Sequence, residues 1–267
     1  MPAGTPGKTR LARRLLGRLP GGEHRVTDRL GLSYRVPDLR EPVAFHLLID
    51  GVYERDVLSL VLDLLPMGGT FVDVGANVGA FALPAACRVG PSGRVLAFEA
   101  SPAVFPCLRA NAAVNGLTNV TAVHTAVCDM DGEVSFYPAP SDHFGMGALA
   151  PQFDATPVTV PGMRLDHLLA AEMIRHVDVL KIDVEGFEQK VLEGAPTLLA
   201  RTEPPVVVFE FCDWAEARVP GAAPGDAQRF LLDRSYTLWR VDDYRRRRPP
   251  LAAPVTTGAT MIVAKRV

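Results

Sequence analysis

The sequence has few cysteines and no long apolar runs, and each shortage excludes a class of protein. Its 267 residues include four cysteines that stand far apart and form no CxxC pair, so neither a zinc knuckle nor a disulfide framework is expected. No stretch approaches the roughly 18–20 uninterrupted apolar residues of a membrane-spanning helix. Arginines and a glycine interrupt residues 11–19, which therefore do not form a secretion signal. We expect a cytoplasmic protein without a membrane span.

The sequence also lacks a large net charge, although its charged residues are unevenly distributed. The formal net charge is -2 and 48% of the residues are hydrophobic, a composition that buries enough surface to fold and excludes intrinsic disorder. Residues 1–40 carry nine lysines or arginines against three acids. We predict that residues 1–50 form a basic leader or lid. Residues 51–267 would form the main domain, with residues 129–160 as an insertion on the substrate side.

From residue 55 onward, short β-branched runs alternate with longer helical stretches. This alternation predicts an α/β domain with a parallel sheet and helical crossovers. The predicted strands cover residues 70–74, 93–99, 120–127, 177–183, 206–210, 236–241 and 260–264. The predicted helices cover residues 56–65, a stretch ending near 89, 102–115, 164–176, 186–199 and 227–234. A basic, proline-rich loop joins the last two strands, which are therefore expected to be antiparallel.

The most informative segment is a glycine-containing turn after the first of these strands, Asp73-Val74-Gly75-Ala76-Asn77-Val78-Gly79. The first glycine permits a sharp turn, and the second leaves room for a ligand near the backbone amides. Twenty residues after Gly79, the next strand ends in Glu99. An acid at that place can accept hydrogen bonds from both hydroxyls of a ribose. The segment therefore predicts a cofactor that contains adenosine.

Two missing motifs narrow the choice of cofactor. The turn lacks the G-x-G-x-x-G spacing of a dinucleotide site, and no G-K-[ST] follows it as in a phosphate-binding loop. Asp73, two residues before Gly75, would repel a pyrophosphate but would suit the positive end of a methionine moiety. This favours S-adenosylmethionine over a nicotinamide or nucleotide-sugar ligand. A non-catalytic protein that binds this cofactor remains an alternative.

With these residues, the chain resembles the FkbM-type S-adenosylmethionine-dependent methyltransferase family. The resemblance covers roughly residues 50–215. Its markers are FVDVGANVG at 71–79, AFEASP at 97–102, Asn111 with Asn115 and Gly116, AVCD at 126–129 and KIDVEGFE at 181–188. It implies a class I methyltransferase fold: a Rossmann-like, mostly parallel sheet of seven strands with one reversed C-terminal strand and helices on both faces. It also implies methylation of a hydroxyl on a small molecule, such as a secondary metabolite or a sugar.

The resemblance assigns positions to the parts of the cofactor. Its methionine end would lie over Asp73, Gly75, Ala76, Asn77 and Gly79. Glu99 would bind the ribose, and adenine would lie between Ala100 and the turn that contains Ala126 and Val127. Tyr53 and Glu54 are candidates to close over the amino-acid end.

Three residues are candidates for contact with the reacting centre. A hydroxyl acceptor must lose its proton, either to a general base or through a metal ion. Asp183 ends the fourth strand, at the sheet edge where the cofactor is expected, so it is both a candidate cofactor-binding residue and the first candidate for the reacting centre. Glu185 is a second, although it would equally suit the start of the helix after it. His143 lies in the insertion and is the third, because imidazole titrates near neutral pH.

Other chemistries stay open at this point. Asp183 and Glu210 follow adjacent strands and offer oxygen ligands of the kind that Mg²⁺ prefers, although a metal-free site is the favoured interpretation. The acceptor could be an amine instead of a hydroxyl, or could belong to a nucleic acid or a protein. Four consecutive arginines at 245–248 are basic but lack an aromatic stacking platform, and the body of the chain is acidic. We therefore expect no nucleic-acid partner.

Overall fold

The computed structural model describes residues 21–153 and 155–266. Residues 1–20 of the predicted leader lie outside these described residues. The strands are β1 (His24–Thr27), β2 (Ser33–Val36), β3 (Thr70–Val74), β4 (Arg94–Glu99), β5 (Val120–His124), β6 (Ala126–Cys128), β7 (Gly132–Phe136), β8 (Val158–Arg164), β9 (Val179–Ile182), β10 (Val206–Cys212), β11 (Tyr236–Arg240) and β12 (Ala259–Arg266). The helices are α1 (Pro42–Asp50), α2 (Arg55–Leu64), α3 (Ala82–Val89), α4 (Phe105–Val114), α5 (Leu165–Ala171), α6 (Glu188–Glu193), α7 (Pro196–Leu199), α8 (Asp213–Glu216), α9 (Asp226–Leu232) and α10 (Val241–Arg245), and Ser141–Met146 forms a 3-10 helix.

Seven strands form the central sheet, in the order β11-β12-β10-β9-β3-β4-β5. β12 runs antiparallel to both of its neighbours, whereas β10, β9, β3, β4 and β5 pair in parallel. This arrangement confirms the predicted mostly parallel sheet with one reversed C-terminal strand. The β-branched run at 70–74 forms β3 at the predicted bounds, because a buried parallel strand favours such residues on both faces.

Alternate residues of the central strands pack on opposite faces of the sheet. In β4, Val95 and Ala97 belong to one hydrophobic cluster, together with buried residues of helices α1 to α4. Leu96 and Phe98 belong to a second cluster, with buried residues of α5, α6, α7 and α9. Helices therefore cover both faces, as predicted. No helix of the described residues is long and apolar enough to cross a membrane.

The predicted strand at 120–127 is divided in two. β5 ends at His124, and the Thr125 hydroxyl donates a hydrogen bond to the carbonyl of Pro161 at 3.0 Å. The chain then leaves the central sheet, and β6 pairs in parallel with β8, which pairs with β7 in a separate three-stranded sheet. The sequence pattern missed this division because valine, which favours strands, recurs in both halves.

Two predicted helices differ from the observed ones. The single helix expected at 186–199 is interrupted between α6 and α7, because Pro196 has no backbone N–H to continue the first helix. Gly194 lies at this interruption, where a side chain would overlap the carbonyl oxygen of Cys128. The helix expected at 164–176 covers only Leu165–Ala171, since Arg164 completes β8 and Met173 adopts a positive φ of 55°.

Candidate functional site

A cavity of about 320 Å³ lies at the carboxyl ends of β3, β4, β9 and β10. This is the edge at which parallel α/β sheets bind their ligands. The N-terminal end of α1 and residues 144–149 also line it. The predicted site residues that line the cavity are Gly75, Ala76, Asn77, Glu99, Ala100, Ala126, Val127, Asp183, Glu185 and Glu210. Asp73, Gly79 and His143 do not line it.

The turn after β3 follows the conformation that its sequence favours. Gly75, Asn77 and Gly79 all have positive φ, and the value of 52° for Asn77 agrees with the tolerance of asparagine for this region. A side chain at Gly75 would overlap the carbonyl oxygen of Asp183, so this glycine lets β3 and β9 approach each other. The amides of Gly75 and Ala76 both donate to the carbonyl of Phe98, at 3.0 and 2.9 Å. The turn is therefore held firmly to the end of β4.

Glu99 connects this turn to the start of the next one. Its carboxylate accepts a hydrogen bond from the Asn77 amide at 2.8 Å and from the Ser101 amide at 2.7 Å. Burial raises the pKa of Glu99 to about 7, although the two amides favour the charged form. A carboxylate offers about four acceptor sites, so Glu99 retains capacity for the two hydroxyls of a ribose.

Gly79 serves packing instead of ligand access. A side chain at this position would overlap the end of Leu83 and crowd Leu108, and its φ of 94° disfavours other residues. The sequence-based expectation that Gly79 clears space for a ligand is therefore not supported by its position.

Asp73 lies behind the cavity wall. It is fully buried, and its cross-strand neighbour on β9 is Lys181, whose Nζ lies 3.5 Å from Asp73 Oδ1. Burial raises the pKa of Asp73 to about 6, against the opposing effect of the lysine. The prediction placed this carboxylate against the methionine moiety, but the strand register directs it to a buried ion pair.

Lys181 is a charged cavity residue that the sequence patterns did not single out. It lines the cavity, its Nζ lies 3.2 Å from Asp183 Oδ2, and the ammonium sits 4.8 Å from the centre of the Phe81 ring. Its side chain is 2% exposed. The available signal was a lysine inside the otherwise apolar strand Val179–Ile182, because lysine is rarely buried without a partner.

Three carboxyl groups meet on the other side of the cavity. Asp183, Glu185 and Glu210 each have a carboxylate oxygen within 4.8 Å of the others. Burial, followed by the charge of Asp183, raises the pKa of Glu185 to about 8 and that of Glu210 to about 10. These oxygens are of the type that Mg²⁺ binds, but two of the groups would first have to lose protons.

Glu188, and not Glu185, stabilises the turn before α6. The Glu188 carboxylate accepts hydrogen bonds from the amides of Val184 and Gly186, at 3.1 and 3.3 Å. Glu185 adopts a positive φ of 56° and faces the cavity. Glu188 therefore performs the role at the start of the helix that was considered for Glu185.

His143 does not reach the cavity. It lies in the 3-10 helix, and its Nδ1 is 3.2 Å from the carboxylate of Asp142 in an exposed pair. Phe144 is buried and lines the cavity together with Gly145. The short helix therefore turns its apolar residue inward and leaves the imidazole at the surface, so the structure gives His143 no contact with a reacting centre.

The remaining walls are apolar or acidic. Ala100, Ala126 and Val127 lie with Phe98 and Phe136 around one part of the cavity, which suits the faces of an aromatic base. Tyr53 also lines the cavity, whereas Glu54 does not. At the start of α1, Glu41 accepts a hydrogen bond from the Ala44 amide at 3.1 Å, and burial raises its pKa to about 7.

The family model and the curated relatives that match this chain are all methyltransferases. The family model described as methyltransferase FkbM domain matches residues 73–238. A hexuronic acid methyltransferase, AglP of Haloferax volcanii, is 30% identical over 146 residues, which are 55% of this chain and 58% of the relative. Methyltransferase sdnD of Sordaria araneosa is 29% identical over 161 residues, covering 49% of this chain and 61% of the relative. The alignments thus span about three-fifths of these relatives.

Among solved structures, that of M. jannaschii TYW2 in complex with AdoMet aligns with a TM-score of 0.48 at 13% identity, covering 93% of this chain and 88% of that chain. The family model extends over more than half of the sequence and includes the glycine turn, Glu99 and the 181–188 segment. The chain therefore belongs to the FkbM methyltransferase domain family.

Proposed function

We propose that this protein is an S-adenosylmethionine-dependent O-methyltransferase that acts on a hydroxyl of a small molecule. One observation carries the proposal. A single cavity brings the glycine turn and Glu99, which suit an adenosine cofactor, together with Asp183, which suits the removal of a proton. Membership of the FkbM family supports methyl transfer.

In this proposal, the cofactor lies along the carboxyl ends of β3 and β4. Glu99 accepts hydrogen bonds from the ribose, and Ala100, Ala126 and Val127 enclose the adenine. Gly75, Ala76 and Asn77 form the wall beside the methionine end, whose positive groups meet an acidic cavity. S-adenosylmethionine supplies the methyl group as a sulfonium when it is bound.

The chemical step is an in-line displacement, so the protein mainly has to align the acceptor and exclude water. The acceptor oxygen forms a bond to the methyl carbon while the bond from that carbon to sulfur breaks and its electron pair remains on sulfur. The hydroxyl proton passes to Asp183. Glu185 adjoins this carboxylate and is proposed to assist it, whereas His143 has no part because it does not line the cavity.

Segments outside the central sheet are proposed to cover the acceptor. The N-terminal end of α1, within residues 1–50, lines the cavity at Glu41, and the 129–160 segment lines it at residues 144–149. Of the described residues that line the cavity, Lys181 is the one lysine or arginine, and two carboxylates already contact it. Such a site is poorly suited to a phosphate backbone, which supports a small-molecule acceptor over a nucleic acid.

An amine acceptor is the second candidate. The cluster of Asp183, Glu185 and Glu210 could hold an ammonium group and take its proton before transfer. A magnesium-dependent mechanism would use the same three residues, and we propose the metal-free alternative because Lys181 already balances charge beside Asp183.

The test is to incubate the protein with ¹³C-methyl-labelled S-adenosylmethionine and separate panels of sugars, hexuronic acids, hydroxylated polyketides and primary amines. We expect a methoxy carbon signal by NMR in at least one hydroxylated acceptor. Labelling only of amines would support the second candidate. Cofactor binding by calorimetry without methyl transfer to any panel member would contradict the enzymatic proposal.

A further inference from the structure

Lys181 occupies an unusual position for a charged residue. It lies inside β9, which is buried along its whole length, and the side chain is 2% exposed. Asp183 directly follows the end of this strand, and Lys181 Nζ lies 3.2 Å from its Oδ2. Asp73 is the direct cross-strand neighbour of Lys181 on β3. The strand register therefore places one ammonium group between two carboxylates.

The contacts of this ammonium differ in character. Asp73 is completely buried, and within the described residues Lys181, at 3.5 Å, is the one cation that forms an ion pair with it. Asp183 is 23% exposed at the cavity, and Lys181 contacts it at 3.2 Å. Asp73 is thus the buried partner of Lys181, and Asp183 is the partner that lines the cavity.

The orientation of the Asp183 side chain depends on Lys181. Within the described part of the chain, Lys181 is the one group that donates a hydrogen bond to its side chain. On its other side stand Glu185 and Glu210, which offer like charge when ionised. Among the described residues, Lys181 is the one cation that forms an ion pair with this carboxylate, and the contact at 3.2 Å sets the direction of the Asp183 side chain.

We propose that Lys181 is a positioning residue, which Asp73 anchors and which holds the Asp183 carboxylate toward the acceptor. The inference rests on the proposed function, in which Asp183 takes the acceptor proton. A purely structural role would be different: Lys181 would serve only to neutralise the buried charge of Asp73.

Two variants separate these roles. In Lys181→Met, the buried Asp73 loses its counter-charge, so both the melting temperature and turnover should fall. The double variant Asp73→Asn with Lys181→Met removes both members of the buried ion pair. No unpaired charge is then left at position 73. We expect the double variant to regain at least half of the lost melting temperature while kcat stays about 100-fold below the parent, as for a misplaced catalytic group.

The measurements are melting temperature, kcat with an acceptor that the parent methylates, and S-adenosylmethionine affinity by calorimetry. Affinity of the double variant should stay within about threefold of the parent, because such a misplacement acts on turnover. Lys190→Met is the matched control, because Lys190 also contacts two carboxylates, Asp129 and Glu193, but does not line the cavity. We expect its kcat to match the parent.

Recovery of kcat together with the melting temperature in the double variant would overturn the positioning role, as would a loss of cofactor affinity large enough to explain the lost turnover. If the parent methylates no acceptor at all, the proposed function fails, and the inference fails with it. The two failures are distinguishable because the first requires an active parent.

Discussion

The carboxyl groups on the two sides of the cavity have different hydrogen-bonding partners. On the turn side, formed by Gly75, Ala76, Asn77 and Glu99, the Glu99 carboxylate accepts two backbone amide hydrogen bonds. On the acid side, formed by Asp183, Glu185 and Glu210, the carboxyl groups face one another, and one lysine supplies the positive charge. Backbone amides fix a group in place, which suits binding. Burial and the neighbouring acids raise the pKa values of Glu185 and Glu210, which suits proton transfer.

The largest expected effect comes from Asp183→Asn on the acid side. Asparagine keeps the shape of the side chain but cannot take a proton, so kcat should fall by roughly 10²–10⁴, the usual contribution of a general base. Affinity for S-adenosylmethionine, measured by calorimetry, should stay within about threefold. The matched control is Asp233→Asn, because Asp233 is exposed and does not line the cavity. If Asp183→Asn lost affinity for S-adenosylmethionine but kept its kcat, the acid side would act in binding, as the turn side does.

On the turn side, Glu99→Gln should act on binding. The new amide group must face the amide of either Asn77 or Ser101, so a donor meets a donor, and the charge-assisted bonds to a ribose are lost. Hydrogen bonds to charged groups are worth about 1.5–3 kcal/mol, so the cofactor Kd should rise roughly 10–100-fold. At saturating cofactor, kcat should change little. Glu203→Gln, at an exposed position, is the control, and an unchanged Kd for Glu99→Gln would refute the ribose assignment.

A smaller effect is expected on stability at the base of the acid side. Burial raises the pKa of Glu188 to about 8, whereas a glutamate in the unfolded chain titrates near 4.3. Between these values the folded state binds more protons, so the free energy of unfolding falls as pH rises from about 4.3 through 8, by up to about 1.4 kcal/mol per pH unit.

Glu188→Gln should remove this contribution, because glutamine resembles the protonated acid. Relative to the parent, the melting temperature of the variant should increase between pH 5.5 and 8, by roughly 2–4 °C for each 1 kcal/mol. Circular dichroism at both pH values measures it. Parallel curves for the two proteins would show that Glu188 does not keep its proton in the folded state.

The smallest expected effect is that of a chelator. If Lys181 compensates the acid side, turnover should not change with 5 mM EDTA or with added Mg²⁺. Activity is measured after dialysis against the chelator, with a magnesium-reconstituted sample alongside. A loss that magnesium restores would replace the metal-free mechanism with one in which Asp183, Glu185 and Glu210 bind the ion.

Local sequence patterns predicted much of the fold and part of the site. The strands of the sheet follow from β-branched runs, and the bend at Gly75 and Asn77 follows from residues that tolerate positive φ. Glu99 and Asp183, which were placed at strand ends, line the cavity, and so does Glu185, two residues beyond Asp183. The division between β5 and β6 was missed because valines recur across residues 120–128, and the pairing of β6 with β8 is what separates the two strands.

By itself, the sequence determined the positions of the seven central strands along the chain, the turn after the first of them and the carboxyl edge at which the site lies, because these depend on residues close together in the chain. The tertiary structure alone decided that Asp73 faces Lys181 instead of a ligand, that His143 stays at the surface and that three acids meet beside a lysine. These outcomes depend on the register between strands and on the direction in which a short helix turns. Neither is encoded in the spacing of residues along one segment, because each arises from packing between segments that are distant in sequence.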